Sequence, residues 1–69
     1  MFLRKNMIYF KEFKGFTPYK LVEYGIPLTT SQQLINGTTT DPRLSVLMKL
    51  AKVYNVTIDD LIYKDLSEN

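Results

Sequence analysis

The stretch Gly25-Ile26-Pro27-Leu28-Thr29-Thr30-Ser31-Gln32-Gln33-Leu34-Ile35-Asn36-Gly37 decides how this chain is read. A glycine turn leads into a short uncharged run closed by a second glycine, the residue that favours the left-handed position ending a helix. At about 100° per residue, the step of an α-helix, Leu28, Thr29, Gln32, Gln33 and Asn36 share one arc of roughly 140°. Thr30, Ser31, Leu34 and Ile35 fall on the remainder and can pack inward. Glutamine can pair with the N6 and N7 edge of adenine, and the carbon atoms of Thr and Leu suit the thymine methyl group. A charged face binds any phosphate, whereas an amide face can choose. Most exposed glutamines are only solvated surface, so the elements around this run must carry the weight. Asn36-Gly37 is also a hairpin signal, but its flanks lack alternating hydrophobics, and a helix stop fits better.

Helical signals continue on both sides. Leu3, Met7 and Phe10 follow a 3.6-residue stripe, with Phe2, Ile8 and Phe13 adding bulk, and predict a first helix ending near Lys14 before Gly15. A strand through Met7 to Phe10 is the alternative, because that run is rich in β-formers. Thr17 caps a second helix with Pro18 at its first position, Leu21 and Val22 facing inward and Gly25 ending it. After Asp41-Pro42-Arg43, the residues Leu44, Leu47, Leu50, Ala51 and Tyr54 recur at helical spacing, with Val46, Met48 and Val53 widening the stripe to be buried. Asn55 can take the left-handed turn that closes this fourth helix. Thr57 caps a fifth, and Asp59 and Asp60 sit in its first turn, where the helix dipole favours negative charge.

Composition excludes whole classes of function. At 69 residues the chain is expected to form one small domain, with an ordered core over about 7–63 and an acidic C-terminal tail, 64–69. Cysteine and histidine are both absent. Disulfides and thiolate metal sites are therefore impossible, and a reducing cytoplasmic setting is compatible. The usual nucleophiles, bases and metal ligands are missing, as is any glycine-rich phosphate loop, so no enzyme, metal, cofactor or small-molecule substrate is expected. The longest apolar run, Met7-Ile8-Tyr9-Phe10, is too short for a membrane span, which predicts a soluble, cytoplasmic protein. Charge is uneven. From Met1 to Lys20 five cations face Glu12 alone, whereas from Asn55 to Asn69 Lys64 faces Asp59, Asp60, Asp65 and Glu68. A basic front and an acidic back orient a molecule in the field of a polyanion such as DNA.

The order of these elements resembles the phage-repressor and Cro-like helix-turn-helix family, often called the Xre family. The resemblance covers roughly Phe10 to Ile62, most specifically Asn36-Gly37 through Pro42, then Leu44, Leu47, Lys49, Leu50-Ala51-Lys52 and Val56-Thr57-Ile58-Asp59-Asp60-Leu61. It implies an all-α, compact five-helix lambda-repressor-like domain, in which the second helix crosses the DNA backbone and the third enters the major groove. By position, Leu28, Thr29, Gln32 and Gln33 would read bases. Thr17, Lys20, Thr30, Asn36, Thr38 and Arg43 would touch the backbone or minor groove, and Ile58, Leu61, Ile62 and Tyr63 would form a homodimer surface.

Four departures from the family pattern stand out. The interval Thr17 to Gly25 is one residue short, Pro27 replaces the customary Ser or Thr cap, and Ser31 occupies a place that is usually apolar. The loop Thr38-Thr39-Thr40-Asp41 is uncharged or acidic where relatives often carry Lys or Arg. A protein that neutralises fewer phosphates has a shallower salt dependence, by about 0.9 in slope for each phosphate left unpaired. Two functions follow as expectations: a repressor-type regulator that binds a double-stranded operator in sequence-specific fashion, or a helix-turn-helix-like protein-binding module of a mobile element, of anti-repressor, antitoxin or anti-restriction type.

Overall fold

A computed structural model describes residues 1–39 and 41–68. The described residues form α1 (Leu3–Lys14), α2 (Pro18–Val22), α3 (Leu28–Asn36), α4 (Leu44–Tyr54) and α5 (Ile58–Tyr63), followed by a short 3-10 turn (Leu66–Glu68). The fold is all-α. Local chemistry sets most of the boundaries. The Thr17 hydroxyl oxygen accepts from Lys20 N–H at 3.2 Å and the Thr57 hydroxyl oxygen from Asp60 N–H at 3.0 Å, each satisfying an orphan donor of a first turn. At the other ends Gly15, Gly37 and Asn55 adopt φ of 77°, 82° and 59°. Asn55 takes this conformation at a cost that glycine would avoid. The strand alternative fails because Met7 to Phe10 lie inside α1, where Leu3, Asn6, Met7 and Phe10 make one buried face.

The core joins Leu3, Met7, Phe10, Leu21, Ile26, Leu34, Leu50, Ala51, Tyr54, Leu61 and Leu66. Phe10 and Tyr54 stack at 4.0 Å between centroids with rings 3° from parallel, and Phe16 meets both edge-on. Such pairs add stabilisation beyond the area they bury. Burial pushes the Tyr54 hydroxyl to a raised pKa, and its Oη has no hydrogen-bond partner.

Packing extends past the expected bounds of 7–63. Leu3 and Leu66 belong to the core, and Asn6, wholly buried, ties the two chain ends together. Its Nδ2 donates to the carbonyls of Leu61 and Lys64, both at 2.8 Å, while its Oδ1 accepts from Leu66 N–H at 2.9 Å. Lys5 pairs with Asp65, and Phe2 N–H donates to the Ile62 carbonyl at 2.6 Å. Residues 64–68 are thus a packed C-terminal segment and no free tail; Asn69 lies outside the described residues. Three apolar residues expected to be covered are exposed: Val22, Leu44 and Met48. They occupy the edges of their helical stripes, which the neighbouring helices do not reach.

Candidate nucleic-acid interface

α2 and α3 are set by the turn between them. Tyr24 N–H donates to Leu21, Gly25 N–H to Val22 and Ile26 N–H to Leu21, at 3.0–3.2 Å, and Gly25 at φ 86° reverses the chain. Ile26, only 1% exposed, then plugs the turn into the core. From the other side Lys49 Nζ donates to the Gly25 carbonyl at 3.0 Å, so α4 braces the turn. Pro27 offers no side-chain cap. Its carbonyl accepts from Ser31 N–H at 3.1 Å and starts α3 by backbone alone.

Along α3 the inward side is Ser31 and Leu34, both buried, with Ile35 half-buried against the core. Thr29, Gln32 and Asn36 are exposed, and Leu28, Thr30 and Gln33 are half-buried. Among the described residues neither glutamine amide is engaged in a hydrogen bond. Of the arc expected from the helical period, Thr29, Gln32 and Asn36 are therefore presented to solvent, and Leu28 and Gln33 are partly covered. An open groove of about 470 Å³ runs beside it, lined by Lys11, Thr17, Tyr19, Gln32 and Asn36. Three helices meet there, with a short helix crossing in front of a longer one whose amide face is open.

The family model of the Cro/C1-type HTH DNA-binding domain matches residues 13–65. The chain belongs to this family. No match was found to a curated protein or to a solved structure. In this Cro/C1-type domain α2 makes a single turn and a half, and the five residues Glu23–Pro27 connect it to α3. Ser31 is buried at a cost, for its Oγ has no hydrogen-bond partner.

The other expected contact residues of the Cro/C1-type domain differ in what they have free. Thr17 Oγ1 and Asn36 Oδ1 each accept a backbone N–H, from Lys20 and from Thr38 at 2.9 Å. Their remaining donors stay available. Lys20 lies 3.5 Å from Glu23 in an exposed pair of the kind that contributes little, so its ammonium can exchange partners. Arg43 is exposed at the N-cap of α4, and Thr38 is exposed beyond Gly37. Thr40, part of the expected uncharged loop, lies outside the described residues; Asp41 is exposed.

On the expected dimer surface Leu61 is a correction. It is 0% exposed and part of the core, because α5 turns that side toward α1 and α4. Ile58 and Ile62 are half-buried, and Tyr63 is 74% exposed. Lys11, Tyr19 and Lys49 are additions that the sequence does not suggest. Lys11 reaches the groove because α1 packs on α3 and Tyr19 because α2 does, and Lys49 reaches the turn across 24 residues of chain. No local pattern announces any of the three. Among the described residues, no helix is long and apolar enough to cross a membrane.

Proposed function

We propose that this domain is a sequence-specific transcriptional regulator of repressor type that reads the major groove with α3. The observation that carries it is the unengaged amides of exposed Gln32 and half-buried Gln33, on the side of α3 opposite buried Ser31 and Leu34. In this arrangement Leu28, Thr29, Gln32 and Gln33 meet base edges, and Thr17, Lys20, Thr30, Asn36, Thr38 and Arg43 contact the backbone or minor groove. Lys11 and Tyr19 join the backbone set, since they line the same groove. A helix of nine residues reads few base pairs. Two copies related by a two-fold axis double that footprint, across half-sites about 34 Å apart. Ile58, Ile62 and Tyr63 are the proposed homodimer surface, with Leu61 excluded. The domain works in the cytoplasm, with neither catalysis nor a cofactor.

A second reading has one observation in its favour. Thr38 and Thr39 carry no charge and Asp41 repels phosphate, at the place where a DNA-binding loop profits from cations. A protein-binding module of a mobile element, of anti-repressor, antitoxin or anti-restriction type, would have no need of them. Selection from a random duplex library separates the two. Enrichment of a two-fold symmetric site, with a footprint covering it, supports the regulator. Failure to enrich any duplex refutes it.

A further inference from the structure

The family match begins at residue 13, so most of α1 lies outside it, yet the first turn of α1 reaches the far end of the reading helix. Arg4 Nε donates to the carbonyl of Ile35 at 2.7 Å, in the last turn of α3. That carbonyl is one of the four that a helix cannot satisfy within itself. No basic residue of α3 occupies its own last turn, so Arg4 brings the cation that the negative end of the helix dipole favours. The guanidinium also lies against Gly37. A Cβ at that glycine would sit 3.4 Å from Nε and 3.5 Å from Cζ, at a φ of +82° that already disfavours other residues. Two residues further along, Asn6 fastens α1 to the carbonyls of Leu61 and Lys64. α1 therefore spans from the C-terminal end of α3 to that of α5.

We propose that Arg4 is a positioning residue for DNA reading. It fixes the last turn of α3 against α1, and thereby the pose in which Gln32, Gln33 and Asn36 meet a duplex. The inference rests on the regulator reading given above. Arg4 contacts no base in it and acts through the Ile35 carbonyl.

Lys5 supplies the control. It carries the same charge on the same turn but pairs with Asp65, at the C-terminal end of the chain. The test uses the full chain, a duplex enriched by the wild type from a random library, and an unselected duplex of equal length. Arg4→Gln is expected to weaken binding to the enriched duplex about fivefold and to the unselected one by less than about twofold, with an unchanged slope against log salt. Lys5→Gln should change both duplexes equally. Without DNA, amide exchange at Asn36 and Gly37 should accelerate in Arg4→Gln and not in Lys5→Gln. Arg4→Lys keeps the cation and loses the Nε geometry, so it falls between, and it carries the comparison if Arg4→Gln does not fold. A salt slope shallower by about 0.9 would make Arg4 a phosphate contact and overturn the positioning role. Equal losses on both duplexes, or unchanged exchange, would overturn it too. If the wild type enriches no duplex, the regulator reading itself fails and takes this inference with it. An enriched duplex bound equally by wild type and Arg4→Gln sinks the inference alone.

Discussion

Replacing Asn6 with alanine should bring the domain close to unfolding. The side chain makes three hydrogen bonds at 2.8, 2.8 and 2.9 Å, each to the backbone of residues 61–66. Each such bond contributes about 0.5–1.5 kcal/mol net, and a buried group left without its partner costs about 1–3 kcal/mol. The Leu61 carbonyl and Leu66 N–H bonds are buried, whereas the one to Lys64 is partly open to water. Two stranded groups at the middle of that range give a loss of about 4 kcal/mol. A chain of this length has only about 3–10 kcal/mol in total, at roughly 0.05–0.15 kcal/mol per residue. The midpoint of thermal unfolding should drop by about 15–30 °C, at roughly 4–8 °C per kcal/mol for a domain of this size. Urea titration followed by circular dichroism gives the free energy directly. Asn6→Asp is the companion variant: it keeps the acceptor for Leu66 N–H but sets a carboxylate against two carbonyls. Only its protonated form can donate to one of them, so its folded pKa is raised. Relative to wild type, its stability should be best below the ordinary aspartate range and fall as pH rises through that raised value. A loss under about 1 kcal/mol for Asn6→Ala would refute the reasoning, since three such bonds cannot be that cheap.

Other outcomes are equally definite. Ser31→Ala and Tyr54→Phe each remove a buried hydroxyl that has no partner, so each should stabilise by about 1 kcal/mol in the same titration, with DNA affinity unchanged. Gln32→Ala and Gln33→Ala should each cost about 1–3 kcal/mol on an enriched duplex and little on random DNA, as read by fluorescence anisotropy. Arg43→Ala should weaken both duplexes and flatten the salt slope by about 0.9. Lys5 holds the Asp65 carboxyl below its ordinary value of 3.8, with Ser67 assisting, and Asp65 holds the Lys5 ammonium above 10.5. The pair's contribution is therefore present between these limits, lost as pH falls through the depressed Asp65 value and lost as it rises through the raised Lys5 value. Asp65→Asn should flatten both arms of the stability profile against pH.

What could be read from the chain were the features with local causes. Thr17, Gly37, Asn55 and Thr57 announce helix ends because each acts on backbone close to itself in the chain. The outward arc of α3 follows from its period alone. Asn6 could not be found in this way, since its partners lie 55 to 60 residues distant and a lone amide between Lys5 and Met7 reads as surface. In α5, Ile58, Leu61 and Ile62 are all apolar, and in six residues the pattern does not say which one turns inward. Leu44 and Met48 fit the stripe of α4 by spacing, but how wide a stripe is covered depends on where the other helices end.

The anchoring of α1 has a practical outcome for anyone who trims the gene to the segment that the family model matches. A fragment starting at residue 13 would lack Leu3, Arg4, Asn6, Met7 and Phe10 together, baring Leu34 and leaving Tyr54 without the ring it stacks on. Such a fragment is expected to clump, and its failure to bind DNA would say nothing about the chain that keeps α1.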